Sequence, residues 1–423
     1  MTCGARHSTK RSNSSGGLRS LAAAASDRVR SASFAAIVVI SAGCGGGSHS
    51  PPVPGLLDGP VVGRVTTSSA TIAWRTGTAE IGVLEWGADT GYGSTAADTI
   101  PTTDHRFDLA GLGSSPSFHY RIHLAANDDV STVGPALADH EVRLAPPDPA
   151  TPFRMAAVGD SGAGSAEESG IEAEIEAADP ELVLHTGDIA YGRGSNEQVE
   201  TRFLDPYATL LDHVPLYASL GNHDVETGNG APLLAAVALP TNSTDGSSHF
   251  YSFDWGPVHA VALDSNASLA PGGAQLTWLD ADLGASRAVW KIVFFHHPPY
   301  SSSKHGSNLA IRDALTPVLD RHHVDLVLNG HDHDYERSFP MAAGQIASSD
   351  AGPGYVNPPG TIFVVTGGGG QTLYPAGHSD FTVVSESTFH FVEIDVAGGS
   401  LQATAIRLDG STLDRFAITK ITR

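Results

Sequence analysis

The sequence predicts two folded parts: an N-terminal all-β sandwich and, after it, an α/β domain. Residues 58 to about 147 hold short runs of alternating apolar and polar residues, separated by Gly, Pro and Asp clusters. From Phe153 the rhythm changes to apolar runs that alternate with helical patterns. Five of those later runs each pass directly into polar side chains of the kind that bind ligands.

Low complexity is confined to the N-terminal end. There Arg28 and Arg30 precede the apolar run Phe34–Ala42, which is long enough for a signal sequence and too short to span a bilayer. The following "SAGC" resembles a bacterial lipobox, with Ser41 where such motifs usually carry Leu. That resemblance implies a leader over residues 1–44, lipidation of Cys44 and a cell-envelope lipoprotein; without the lipid the same leader implies a periplasmic or secreted protein. Only Cys3 and Cys44 are present, so removal of the leader excludes a disulfide framework. Residues 45–57, beginning "GGGSHSPPVPG", read as a flexible tether that stiffens.

In the sandwich region, 58–147, "RVTTSSATIAWRT" alternates about Val65, Ala70, Ile72 and Trp74. "IGVLEWG" follows with Ile81, Val83 and Leu84, and "SFHYRIHLAA" places Phe118, Tyr120, Ile122 and Leu124 on one face. "APPDPATP", Ala145–Pro152, links this region to the α/β domain over 153–423.

The five apolar runs of the α/β domain are "FRMAAVGD", "ELVLHTGD", "PLYASLGNHD", "VWKIVFFHH" and "VDLVLNGHDH". They lack clean alternation, which suits strands buried on both faces. Ligands bind outside the carboxyl ends of such strands, so the five loops should converge on one rim. Between them, Ser165 and Glu168 form a capping box ahead of a helix whose face is Ile171, Ile175 and Ala178. Leu276, Leu279 and Leu283 form a second helical stripe, and Leu315, Val318 and Leu319 a third. After Thr361, "TIFVVTGGGG", "FHFVEIDV", "LQATAIRL" and "RFAITKI" read as strands completing a second sheet.

The strand ends collect Asp160, Asp188, Tyr191, Asn222, His223, His296, His297, His331 and His333. Carboxylates, an amide oxygen and imidazoles make a mixed O/N donor set suited to Zn, Mn or Fe. It is larger than one tetrahedral ion can use, so two ions are implied. His331 and His333 are two residues apart, which in an extended segment turns both to the rim and Asp332 away from it. His185 reads as a buried histidine holding its loop, and His322 and His323 as the cap of a helix. "TGGGG" reads as a turn, since no helix follows it to cradle phosphate. Asn242 and Asn266 lie in glycosylation sequons, which carry no meaning in a bacterial host.

Five motifs occur in order: "GDSG" at Asp160, "GDIAY" at Asp188, "GNHD" at Asn222, "VFFH" at His296 and "GHDHDYER" at His331. Together they resemble the purple acid phosphatase family of dinuclear metallophosphoesterases, over roughly residues 58 to 423. The resemblance implies a fibronectin-III-like N-terminal domain and a four-layer α-β-β-α catalytic domain. It further implies that Asp160, Tyr191 and His333 bind a first metal, that Asp188 bridges, and that Asn222, His296 and His331 bind a second. His223 would act as proton donor or phosphate contact, and His305 would face substrate. His297 departs from the family pattern, which implies a small residue or Ser there, as does Pro299, where plant members usually carry an aromatic.

The implied activity is an exported acid phosphatase that hydrolyses phosphate monoesters by attack of a metal-bound hydroxide. Two ions about 3.5–4 Å apart clamp the attacking and leaving oxygens of a phosphoryl group and make hydroxide available at mildly acidic or neutral pH. A histidine is suited to protonate the leaving alkoxide. In most metallophosphoesterases the position of Tyr191 is His. A phenol with a pKa near ~10 ionises at neutral pH only with strong help, which Fe(III) supplies. The expected cofactors are thus Fe(III) at Tyr191 and Fe(II), Zn(II) or Mn(II) beside it, with a charge-transfer colour. Competing readings are a phosphodiesterase or nucleotide hydrolase on the same metal site, and a surface binding module with a vestigial one. The net charge of −22, with no Lys/Arg cluster beyond the first thirty residues, disfavours nucleic acid as a partner. Any membrane contact would run through the lipid anchor, and nothing in the sequence sets the oligomeric state.

Overall fold

The computed structural model describes residues 55–113, 115–125 and 134–421. The leader, Cys44 and most of the expected tether lie outside the described residues. The first described elements are β1 (Leu56–Gly63), β2 (Ser69–Gly87), β3 (Ser94–Ala97), β4 (Thr102–Ala110), β5 (Ser117–Ala125) and β6 (His140–Arg143). Strand β1 thus reaches back into the end of the expected tether. Strand β2 runs for 19 residues and serves two sets of partners. Its first half pairs with β1 and β4, and its second half with β3 and β5, to which β6 adds. The pairing changes across the exposed Gly77–Ala79 stretch, where the register with β4 shifts.

Alternation decides what this region buries. Val65, Ala70, Ile72 and Trp74 are all buried, as are Phe118, Tyr120 and Ile122, and these share one core with Leu84. Ile81 and Val83 form a separate small cluster with Ala125 on the other side of β2, and Leu124 is only half-buried.

The second part begins with β7 (Phe153–Val158), α1 (Ala166–Ala177), β8 (Leu182–His185), the short helices α2 (Asn196–Val199) and α3 (Ala208–Leu211), and β9 (Leu216–Ala218). It continues through α4 (Ala231–Ala236), β10 (Tyr251–Trp255), β11 (Val258–Ala262), α5 (Ala274–Ala285), β12 (Trp290–Phe294), α6 (Leu309–Arg321), β13 (Leu326–Asn329) and β14 (Tyr335–Ser338). A hairpin, β15 (Met341–Ala342) and β16 (Gln345–Ile346), leads to β17 (Gly354–Val356), β18 (Ile362–Thr366) and β19 (Thr382–Glu386). The last strands are β20 (His390–Ala397), β21 (Ser400–Arg407) and β22 (Thr412–Thr419).

These strands make two seven-stranded sheets, ordered β17-β22-β21-β20-β7-β8-β9 and β10-β11-β12-β13-β18-β14-β19. The five apolar runs are therefore divided: β7, β8 and β9 run parallel in one sheet, and β12 and β13 run parallel in the other. The strands after Thr361 are divided too. β18 extends the second sheet beside β13, while β20, β21 and β22 extend the first beside β7. The expected single rim is instead a seam between the carboxyl ends of two sheets.

Both faces of the second sheet are apolar because each faces a different neighbour. Ile292, Phe294, Leu326, Leu328, Ile362 and Val364 join the large core that includes residues of β7, β8 and β20. Val293, Val327 and Phe363 pack instead with α5 and α6 through Leu279, Leu315 and Leu319. Ser165 caps α1 by accepting the Glu168 N–H at 3.1 Å, and Ile171 and Ile175 are buried as expected. The reciprocal contact differs from the expected capping box, because the Glu168 carboxylate takes the Gly164 N–H, one residue ahead of the cap. A full capping box forms at Ser195 and Gln198, at the start of α2.

The N-terminal strands brace the loops of the second part. The Tyr217 hydroxyl on β9 donates to the Val65 carbonyl at 3.2 Å, and the Tyr120 hydroxyl donates to the Asp212 carbonyl. Arg143 forks both oxygens of Asp179 at 2.6 and 2.8 Å.

Leu279, with no exposed surface, fixes α5 to the second sheet. Leu279→Ala should cost about 2–5 kcal/mol through lost burial and a residual cavity. The check is the urea midpoint; an unchanged midpoint contradicts this packing.

Candidate metal centre

Each sequence-predicted ligand follows the carboxyl end of a strand. Asp160 follows β7, Asp188 and Tyr191 follow β8, and Asn222 and His223 follow β9. His296 follows β12, and His331 and His333 follow β13. Asp160, Asp188 and His331 adopt left-handed backbone angles, with φ of 58, 55 and 71°. Such residues carry strain unless the surroundings enforce it, and they concentrate at functional sites. The extended geometry expected for His331–His333 is absent, since a left-handed turn opens that segment. Both imidazoles still enter the site, on different sides, and Asp332 turns away to accept Ser301 Oγ and the His305 N–H.

One focus gathers around Tyr191. Its hydroxyl lies 2.8 Å from Asp160 Oδ1 and 3.0 Å from His333 Nε2. The other gathers around His296, whose Nε2 lies 3.0 Å from Asn222 Oδ1, 3.2 Å from His331 Nδ1 and 3.4 Å from Asp188 Oδ2. Asp160, Asp188 and His296 offer ligand atoms within 4.8 Å of one another, and so do His296, His297 and His331. His223 covers the first focus, its ring 4.6 Å from that of Tyr191 and its Nε2 4.0 Å from Asp188 Oδ2.

Backbone carbonyls orient the rings. Nδ1 of His296 faces the Thr186 carbonyl at 3.0 Å, that of His333 the Thr372 carbonyl at 2.7 Å, and that of His223 the Gly192 carbonyl at 2.8 Å. A carbonyl can only accept, so each Nδ1 carries a proton and each Nε2 is turned to the centre.

The electrostatics call for a cation. Asp160 and Asp188 are buried, with 0 and 2% exposure. Burial opposes the charge of Asp188, but His296 and the His223 N–H hold its carboxyl well below the usual range. Burial likewise opposes a charged His296, yet Asp188 and Asp160 push it up to about 9. Burial, then Asp160 and Asp188, hold the proton on Tyr191 well above the ordinary phenol range. Two buried carboxylates that draw positive charge, ringed by oriented imidazoles and an amide oxygen, form a donor set that fits divalent or trivalent metal ions.

Several supports were not legible in the sequence. Asp224, fully buried, accepts the N–H groups of Asp188 at 2.8 Å, Ile189 at 3.0 Å, Ala190 at 3.1 Å and Gly221 at 2.8 Å. Burial and the neighbouring Asp188 push its pKa up to about 6. It clamps the β8 loop to the β9 loop. It stands at the end of the "GNHD" motif, the only signal that could have marked it. Gly221 is obligatory there, because a Cβ would overlap the backbone nitrogen and Oδ1 of Asp188. Tyr374 stacks on His333 at 3.9 Å, with Lys304 over its other face at 3.9 Å, and no local sequence pattern announces it.

His305 sits at the mouth, its ring 4.3 Å from that of His331. His297 lies beside His331 at 4.5 Å, and burial and His296 push its pKa down to about 4. His185 holds the loops as expected, with Nε2 2.9 Å from Ser161 Oγ and Nδ1 accepting the Gly187 N–H at 3.2 Å. His322 caps α6 and bonds Asp280 at 2.6 Å. The "TGGGG" segment is a close-packed turn: a Cβ on Gly367 would meet the Asp332 carbonyl and, at 2.9 Å, Asp160 Oδ2. Asn266 ties the β9 loop by donating to the Leu220 carbonyl at 2.9 Å.

Residues 153–335 match the calcineurin-like phosphoesterase family. An uncharacterized protein of Mycobacterium tuberculosis is 28% identical over 388 residues, covering 77% of this chain and 71% of that protein. Purple acid phosphatase 18 of Arabidopsis thaliana is 25% identical over 332 residues, covering 71% of this chain and 72% of that protein. The solved structure of purple acid phosphatase PPD1 from yellow lupin superposes with a TM-score of 0.75 at 19% identity, covering 86% of this chain and 75% of that one, and so shares its fold. The chain is thus similar over residues 153–335 to calcineurin-like phosphoesterases, and the proteins it resembles include purple acid phosphatases.

Asp224→Ala leaves four buried N–H groups without an acceptor and frees the loop that carries Asp188. Metal affinity should fall about 10–100-fold, as for lost outer partners of metal ligands. Metal content after dialysis against a graded chelator measures this, with far-ultraviolet circular dichroism to verify folding. Wild-type retention of metal contradicts the assignment.

Proposed function

We propose that this chain is an exported acid phosphatase acting on phosphate monoesters at a dinuclear Fe(III)–M(II) centre. The observation that carries the reading is the Tyr191 hydroxyl, buried between Asp160 Oδ1 and His333 Nε2. A phenol held by two acceptors among buried carboxylates becomes a ligand only for a cation that strongly favours tyrosinate, and Fe(III) is such an ion. Asp160, Tyr191 and His333 would hold it, Asp188 would bridge, and Asn222, His296 and His331 would hold Fe(II), Zn(II) or Mn(II). When bound, the two ions supply Lewis-acid polarisation of the phosphoryl group and hydroxide at mildly acidic pH.

The protein's own groups do the rest. His223 is anchored through Nδ1 on the Gly192 carbonyl, with its side chain 33% exposed and Nε2 facing the centre. Carrying a second proton on Nε2, it can deliver that proton to the leaving oxygen. His305 borders the mouth on the His331 side and would meet the substrate there. A neutral Asn222 in place of a third carboxylate leaves the loaded centre more positive, which favours a phosphate dianion.

Nucleotide or diester hydrolysis on the same site is the second reading. Lys304, a cation poised on Tyr374 beside the mouth, favours a substrate with a further phosphoryl group. Turnover of mono- against bis-nitrophenyl phosphate separates the two. A vestigial site would hold less than one ion per chain and turn over neither ester.

The domain plan is part of the same proposal. The pairing of β2 with β1 and β4, and then with β3 and the β5–β6 pair, supports a fibronectin-III-like sandwich over 58–147. The two apolar faces of the second sheet support a four-layer α-β-β-α domain over 153–423. The leader over 1–44, the tether over 45–57 and lipidation at Cys44 would fix the protein in a bacterial cell envelope, and without lipid it would be periplasmic or secreted.

Protein purified in air should absorb visible light and contain two metal ions, one of them iron. Tyr191→Phe should bleach that colour, and a colourless wild type with a full complement of iron sinks the Fe(III) claim. His223→Ala should keep both ions yet lose about 10²–10⁴-fold in turnover of alkyl phosphates, whose leaving groups need a proton. Near-wild-type turnover on those esters would remove His223 from the acid role.

A further inference from the structure

We propose that His297 touches the substrate, donating its Nε2–H to a phosphoryl oxygen on the second-ion side of the centre. This inference rests on the phosphatase reading and adds a substrate contact to it.

His297 differs from His223, His296 and His333 in what its Nδ1 meets. His223, His296 and His333 each present Nδ1 to a backbone carbonyl, which obliges that nitrogen to carry the proton. Nδ1 of His297 meets a hydroxyl instead, Ser265 Oγ at 2.9 Å. The same oxygen accepts the His297 backbone N–H at 3.1 Å. A serine hydroxyl has one proton of its own to donate. Given to Nδ1, it leaves the imidazole proton on Nε2, and His297 becomes a donor where its neighbours are acceptors. Bare imidazole nitrogens suit metal ions, whereas an N–H suits an anion.

Position agrees with that role. A His297 nitrogen lies within 4.8 Å of ligand nitrogens on both His296 and His331. The ring stands 4.5 Å from that of His331 and 5.0 Å from that of His296, and is half-buried rather than enclosed. A second ion would already have Asp188, Asn222, His296 and His331 as donors. A further protein ligand would close the position that a catalytic ion leaves open for substrate. A donor beside that position would instead bind the phosphoryl oxygen that occupies it. His305 also lies against His331, its ring 4.3 Å away, so both imidazoles border that residue.

The test uses full-length, metal-loaded protein and inorganic phosphate, titrated calorimetrically. His297→Ala should keep two ions per chain and bind phosphate about tenfold more weakly, as expected for a lost hydrogen bond to an anion. His297→Gln, which restores an N–H, should recover most of that loss. An unchanged phosphate affinity in His297→Ala overturns the proposal. So does loss of one ion, which would make His297 a ligand. Wild-type protein that binds two ions and phosphate but cleaves no ester would overturn the phosphatase reading, while the titration would still decide the role of His297.

Discussion

The structure depends on two carboxylates, Asp160 and Asp188, being held without solvent at the seam between two sheets. A buried carboxylate is costly unless its oxygens are matched by donors or cations. Asp160 has the Tyr191 hydroxyl and the His331 N–H; Asp188 has the His223 N–H and the His296 ring. Every one of those donors comes from a different loop. The loops must therefore stay in register with one another, and that requirement explains the left-handed turns at Asp160, Asp188 and His331.

Two further layers maintain the register. Asp224 gathers four N–H groups from the β8 and β9 loops. Backbone carbonyls of Thr186, Thr372 and Gly192 set the tautomer of His296, His333 and His223. The N-terminal strands contribute at longer range, because Tyr217 on β9 is tied to the Val65 carbonyl. A centre that asks for positive charge and presents oriented donors suits the calcineurin-like phosphoesterase domain to which residues 153–335 match.

Legibility varied with how local each signal was. Asp160, Asp188, Asn222, His296, His331 and His333 could be picked out because each follows an apolar run and carries its own motif. Tyr191 was visible as a departure three residues after Asp188. Asp224 was in plain view within "GNHD" but passed over, because its partners are backbone N–H groups from another loop. Tyr374 gave no signal, since stacking on His333 joins residues about forty apart in the chain. His297 was seen, but its role turned on Ser265, a residue no pattern marks.

By itself the sequence determined the element types, the apolar faces of α1, α5 and α6, and the identity of the ligand-type residues. Those are set by periodicities and motifs a few residues long, which local backbone geometry converts directly into structure. It did not determine that the five runs divide between two sheets, that strands after Thr361 join both, or that His331 opens with a left-handed turn. Those outcomes come from which apolar faces bury against which neighbours, and from how buried carboxylates find donors across the seam. Only the closed tertiary structure brings those partners together.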